Sequence, residues 1–159
     1  MSIESISQDK IDELIAMPKR IRNPNARVVV KAQHQQVNYH VVGADEFVFN
    51  LYSRQNTNIP EDFSCGLSWN TPSGEVLTLA RYNGPSHAHE NKIEGEKLGF
   101  VCHIHRVTSR YLEAGKKAEG YAEGTTRYET LRGALYCLVT DCNISGIQTI
   151  PDHPNLFSA

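Results

Sequence analysis

Between Ala26 and Tyr82 the chain falls into runs whose dominant period is two, and that period commits them to strands. Phe47, Phe49 and Leu51 alternate with Val48, Asn50 and Tyr52, and Phe63, Cys65, Leu67 and Trp69 alternate with Ser64, Gly66 and Ser68. Successive side chains of a strand point to opposite faces, so each run predicts a strand with one buried face. Arg27–Lys31 and Val37–Val42 predict a hairpin, and Thr71-Pro72-Ser73-Gly74 a tight turn before a returning strand from Glu75 to Tyr82. Links this short join neighbouring antiparallel strands, which makes a meander.

Helical periodicity appears only outside that block. Ser7 is placed to cap a helix running to Met17, with Ile11, Leu14 and Ile15 on one face and Pro18 as its stop. The basic knot Lys19, Arg20 and Arg22, ahead of Asn23-Pro24-Asn25, reads as a solvated connector. Phe100–Val107 reads as a strand near the sheet centre. Thr108 or Ser109 caps a short helix ending at Gly115, and Tyr121–Gly124 reads as irregular. Thr126-Arg127-Tyr128-Glu129 has the form of a capping box ahead of Leu131, Ala134, Leu135, Leu138, Val139 and Cys142, a helical stripe to pack on the sheet. The tail, residues 145–159, carries no period. The expectation is an α+β fold in a single domain, residues 1–159, with a mostly antiparallel sheet of about six strands, an N-terminal helix and a packed C-terminal helix.

Composition limits the classes open to this chain. Its 159 residues suit one domain with a real core, and a net charge of −2 argues against a non-specific coat for nucleic acid while leaving room for a local patch. Cys65, Cys102, Cys137 and Cys142 show no C-x-x-C spacing and read as reduced, buried thiols. The opening MSIESISQDKIDEL lacks an apolar leader region and no stretch approaches a membrane span, so the expectation is a cytoplasmic protein with no membrane partner.

Chemistry concentrates between Arg81 and Arg110. Four of the seven histidines lie there as two His-x-His pairs, His87/His89 and His103/His105. On a strand His103 and His105 share a face, with Cys102 and Ile104 on the other. The segment is mildly basic, since Arg81, Lys92, Lys97, Arg106 and Arg110 outnumber Glu90, Glu94 and Glu96. Cleaving RNA without a metal needs a base for the 2′-hydroxyl, an acid for the leaving oxygen and a cation for the developing phosphorane charge. His103 and His105 fit as the acid/base pair, His87 or His89 as a supporting or alternative acid, and Arg81 as the cation. Tyr82, Asn83, Tyr111 and Tyr128 are candidates to stack a base or hold a phosphate, with Arg106 and Arg110 as further substrate contacts. No cofactor is required by that chemistry. The alternative is a divalent metal such as zinc on His87, His89, His103 and His105. His87-x-His89 followed by Glu94 is also similar to the first cupin motif, in which a glycine lies six residues before the first His. Arg81 holds that position here, and no Pro-x-Gly-x2-His motif follows. His34, His40 and His153 lack such company and read as surface residues.

The run Arg81-Tyr82-Asn83-Gly84-Pro85, then His87 and His89-Glu90-Asn91, His103-Ile104-His105, Tyr121-Ala122-Glu123 and the final helix to Asn143-Ile144 resembles an uncharacterised family of bacterial and phage proteins, over roughly Phe47 to Ile144. More distantly it is similar to TumE-type endoribonuclease toxins of toxin–antitoxin pairs, in which an Arg-Tyr-Asp-Asn-Ala-Pro-His-His segment precedes a His-His-x-His cluster. This chain has Asn-Gly-Pro-Ser-His-Ala-His instead and no adjacent His-His. The resemblance implies an RNA substrate, a cognate antitoxin or host protein as partner, and an antiparallel sheet flanked by helices. The competing expectation is a non-enzymatic binding protein, such as a phage-encoded inhibitor of host defence.

Overall fold

The structure, a computed structural model, describes residues 3–147. The sequence patterns hold through the centre of the chain. Strands β3 (His34–Val42), β4 (Val48–Asn56), β5 (Phe63–Asn70) and β6 (Val76–Asn83) form the antiparallel meander, each pairing with the next. Around it the sheet extends further than six strands. β1 (Lys19–Ile21), β2 (Val29–Lys31), β9 (His103–Arg106), β10 (Tyr121–Gly124) and β11 (Ile144–Ser145) bring it to nine, in the order β10-β9-β6-β5-β4-β3-β1-β11 with β2 also on β3. All pairings are antiparallel except β1 with β11. β7 (His89–Glu90) and β8 (Lys97–Leu98) form a separate two-stranded ribbon.

Helices cover one face of this sheet. α1 (Gln8–Ala16) starts at Ser7, whose hydroxyl accepts from Lys10 N, and brings Ile11 and Leu14 to the core. α3 (Leu131–Asp141) packs across β4, β5 and β6 through Ala134, Leu135 and Leu138. Phe49, Leu51, Cys65, Leu67, Leu77 and Leu79 meet them from the sheet and are almost entirely shielded from water. α2 (Ser109–Glu113) is capped by Thr108. The other sheet face is polar and partly exposed, as antiparallel sheets allow. Among the described residues no helix is long and apolar enough to cross a membrane.

Several expectations need correction. The basic knot is not a connector: Lys19 begins β1 and is buried, its ammonium donating to the carbonyls of Ile15, Met17 and Cys142 at 2.7, 3.0 and 2.8 Å. Those carbonyls sit at the C-terminal ends of α1 and α3, where a cation is favoured. Tyr121–Gly124 is a strand, paired along its length with β9. β9 therefore lies one strand in from the edge rather than at the centre. Thr130, not Thr126, caps α3, its hydroxyl accepting from Gly133 N. Ser145 belongs to β11, while most of the expected tail, including His153, lies outside the described residues. Val29 and Val30 of β2 are exposed, and β2 pairs with His34–Gln36 rather than with Val37–Val42.

A bulge in β6 decides what the polar face carries. Ser68 pairs with Thr78 and Leu67 with Ala80, so Leu79 is an extra residue in the ladder. Leu77 and Leu79 face the core before it, and Ala80 and Tyr82 after it. Strict alternation would have sent Arg81 and Asn83 to the core face with Leu79. The bulge turns both to the polar face, opposite His105 and His103 on β9.

Candidate histidine and arginine site

On that face a cleft of about 380 Å³ opens, lined among others by Tyr52, Arg54, Arg81, Asn83, His89, His103 and His105. Three elements build it. β9 sets His103 and His105 two residues apart on one face, as the period requires, and both are nearly buried at its floor. β6 supplies Arg81 and Asn83 in register with them. The loop after β6 supplies His89, entering at Gly84, where a Cβ would stand 2.4 Å from the carbonyl of Glu61. Only a glycine permits so close an approach.

His89, His103 and His105 pack as a triangle. Ring centroids are 4.6 Å apart for His89 and His105, 5.0 Å for His103 and His105, and 5.9 Å for His89 and His103. Each imidazole is fixed through one nitrogen. His105 Nδ1 donates to the Glu119 carbonyl at 2.9 Å and His103 Nδ1 to that of Val101 at 2.8 Å. His89 Nε2 donates to the Gly120 carbonyl at 2.8 Å and also faces Asn91 Oδ1 at 3.0 Å. With those protons placed, the neutral rings keep a lone pair on Nε2 of His103, Nε2 of His105 and Nδ1 of His89. Asn83 Nδ2 faces the lone pair of His103 at 3.4 Å.

Electrostatics keep the two floor imidazoles neutral. Burial, with Arg81 and His103 adding to it, pushes His105 down to about 3, and burial lowers His103 as well. Arg81 itself is unpaired among the described residues, its Nε buried without a partner, and Asn83 Oδ1 is in the same condition. The open donor of Arg81 suits an anionic group, and the open acceptor beside three lone pairs suits the hydroxyls of a ligand.

Not every residue singled out from the sequence is gathered here. His87 stands at the rim with its side chain 78% exposed, 3.8 Å from Asp62, and does not join the triangle. Tyr111 is buried elsewhere, donating to Glu94 at 2.6 Å, and Arg110 pairs with the same carboxylate at 2.9 Å. Arg106 lies on the helix-covered face, 3.8 Å from Asp141. The substrate contacts expected of Tyr111, Arg106 and Arg110 therefore do not form in this cleft. Tyr82 and Tyr128 are structural: Tyr82 donates to Asp141, and the Tyr128 hydroxyl reaches the carbonyls of Asn83 and His103 at 2.8 and 3.1 Å. His34, taken for a surface residue, sits 3.2 Å from Arg54 and 3.9 Å from Asp62.

Asn91 is the residue that sequence reasoning missed. It is wholly buried, and its amide pairs with both the N–H and the carbonyl of Ala122, each at 2.8 Å, as a neighbouring strand would. It thereby closes the outer edge of β10 and carries the His89 loop onto the sheet. Its signal was only its place next to His89-Glu90.

As the side chains stand, no group of three or more His, Cys, Asp or Glu residues among the described ones is arranged to hold a metal ion. Of the four histidines, His89, His103 and His105 pack together while His87 stands at the rim. No protein-family model, curated protein or solved structure matches the chain.

Proposed function

We propose that the cleft cleaves RNA without a metal, in the manner of a ribonuclease toxin acting in the cytosol. The observation that carries this reading is the unpaired guanidinium of Arg81 beside the lone pairs of His103 and His105. His105, neutral at physiological pH, takes the 2′-hydroxyl proton on Nε2 as the 2′-oxygen bonds to phosphorus. The P–O5′ bond breaks, and a protonated His103 delivers its Nε2 proton to the leaving oxygen, with His89 as the alternative donor. The products are a 2′,3′-cyclic phosphate and a 5′-hydroxyl. Arg81 holds the non-bridging oxygens. His103 and His105, packed this closely next to a guanidinium, hold few protons at once. The bound phosphate offsets Arg81 and lets one ring charge, so that acid and base coexist.

The test is cleavage of an oligoribonucleotide in EDTA. Wild type is expected to cut, a 2′-deoxy linkage is expected to resist, and His103→Ala and His105→Ala are expected to lose about 10²- to 10⁴-fold in rate. The lowered imidazoles place the optimum of kcat/KM below pH 7. Turnover lost in EDTA and restored by zinc would replace this mechanism with a metal on the three-histidine set. Growth arrest on induced expression, relieved by either substitution, supports a toxin. Indifferent growth and no turnover at any pH favour the binding protein.

A further inference from the structure

We propose that the histidine cleft is one end of a longer track for single-stranded RNA, in which Arg54 and His34 hold the phosphate next to the one at Arg81 and Tyr52 offers its ring to a base between them. The assignment of the phosphate at Arg81 rests on the cleavage reading above. The track itself rests on a second cavity, of about 310 Å³, lined by His34, Arg54, Asp62, Phe63, Ser64 and His87. All of these except His34 also line the first, so the two are continuous.

Sheet register sets out the groups in rows. His105, Arg81, Gly66 and Tyr52 are cross-strand neighbours, and His103, Asn83, Ser64 and Arg54 form the row beside them. Arg81 and Arg54 stand two strand spacings apart and one row offset, about 12 Å between backbones. Two guanidinium side chains reaching toward each other can serve neighbouring phosphates across that distance. Gly66 lies on the path, and a Cβ there would come within 2.7 Å of Tyr52 Cε1, so the tyrosine ring lies over the glycine between the two cations. A flat ring flanked by cations suits unpaired bases, which stack on aromatic side chains, better than a duplex whose bases already stack on each other. The one carboxylate among the described lining residues, Asp62, is turned onto Ser86 Oγ at 3.1 Å and Asn56 Nδ2 at 3.3 Å, with His34 and His87 on either side.

The probe is a fluorescein-labelled 2′-O-methyl oligouridylate of about ten nucleotides, followed by anisotropy. It lacks the attacking hydroxyl, so binding is read apart from turnover. Arg54→Ala is expected to raise Kd about tenfold and to lower the slope of log K against log salt by about 0.7. Tyr52→Leu is expected to raise Kd about tenfold with the salt slope unchanged. Arg110→Ala, outside both cavities, serves as the control, and far-UV circular dichroism confirms folding of each variant. No binding by wild type, Kd values unmoved by Arg54→Ala and Tyr52→Leu, or equal competition by duplex RNA overturns the track. Binding that follows the expected pattern while unmodified RNA stays uncut upholds the track and overturns the cleavage reading. Cleavage that persists with Kd unmoved does the reverse.

Discussion

Replacing Asn91 by aspartate changes one atom and should undo the attachment of the His89 loop. The amide oxygen accepts from Ala122 N, and the amide nitrogen donates to the Ala122 carbonyl at 2.8 Å and to Glu96 Oε1 at 2.9 Å. Asn91→Asp keeps the shape and the contacts of that oxygen with Ala122 N and His89 Nε2, loses both donated bonds, and sets a carboxylate oxygen against a carbonyl and a second carboxylate. Two lost bonds and a buried, unpaired charge together cost about 3–5 kcal/mol. Against a total stability on the order of 5–15 kcal/mol, that leaves the variant marginal. Urea unfolding followed through Trp69, the chain's one tryptophan, reads the loss as a lower midpoint at unchanged m. The pH dependence has a definite sign. The new carboxyl is held above its unfolded value of about 3.9, so its penalty is absent below that pH and grows as pH rises. The gap to wild type should therefore be widest near neutrality and narrow toward about pH 4. A gap under about 0.5 kcal/mol at pH 7, or one that ignores pH, refutes the strand-mimic role of this amide.

Three further substitutions probe other parts of the fold. Lys19→Met strips the donor from three helix-end carbonyls and relieves the burial of a charge, a net loss of about 2 kcal/mol at pH 7. Burial holds Lys19 down to about 8, below its unfolded value of about 10.4. The folded state thus sheds this proton first, and wild type should gain on Lys19→Met as pH rises from about 8 to 10, by up to about 1.4 kcal/mol per unit in urea titrations. His105 lies lower folded than unfolded, so its contribution to stability is complete above about pH 6.5 and is lost as pH falls toward about 3. His105→Gln should flatten that acid limb, and parallel limbs would contradict the burial described for this ring. Gly66→Ala places a Cβ 2.7 Å from Tyr52 Cε1 and 3.0 Å from the Ala80 carbonyl, for a loss of about 1–3 kcal/mol in thermal unfolding. Adding Tyr52→Ala should restore part of it.

Alternation made β3, β4 and β5 legible because each lies between a helix-covered face and a solvated one, and Ser7 announced α1 because its cap is local. The elements that stayed hidden depend on partners far along the chain. Lys19 looks like a surface charge until the ends of α1 and α3 meet around its ammonium. Tyr121-Ala122-Glu123-Gly124 has too little apolar content to read as a strand, and it is held by β9 on one side and by the Asn91 amide on the other. At the site, period two placed His103 and His105 together without further help. Nothing in the sequence separated His89 from His87: both lie in a polar segment, and the carbonyl of Gly120 with the buried Asn91 amide selects one of them. Tyr82 and Tyr128 carry polar groups that the sequence offers to a ligand and that the fold spends on Asp141 and on the strand ends.

Counted by residue number, β6 serves the interior with odd positions, 77 and 79, and then with even ones, 80 and 82. That change of parity decides that, of two adjacent positions, the tyrosine goes to the core and the guanidinium to the opposite side. Gaining or losing one residue between Leu77 and Arg81 would exchange the two, so this short span tolerates substitution far better than any alteration in its length.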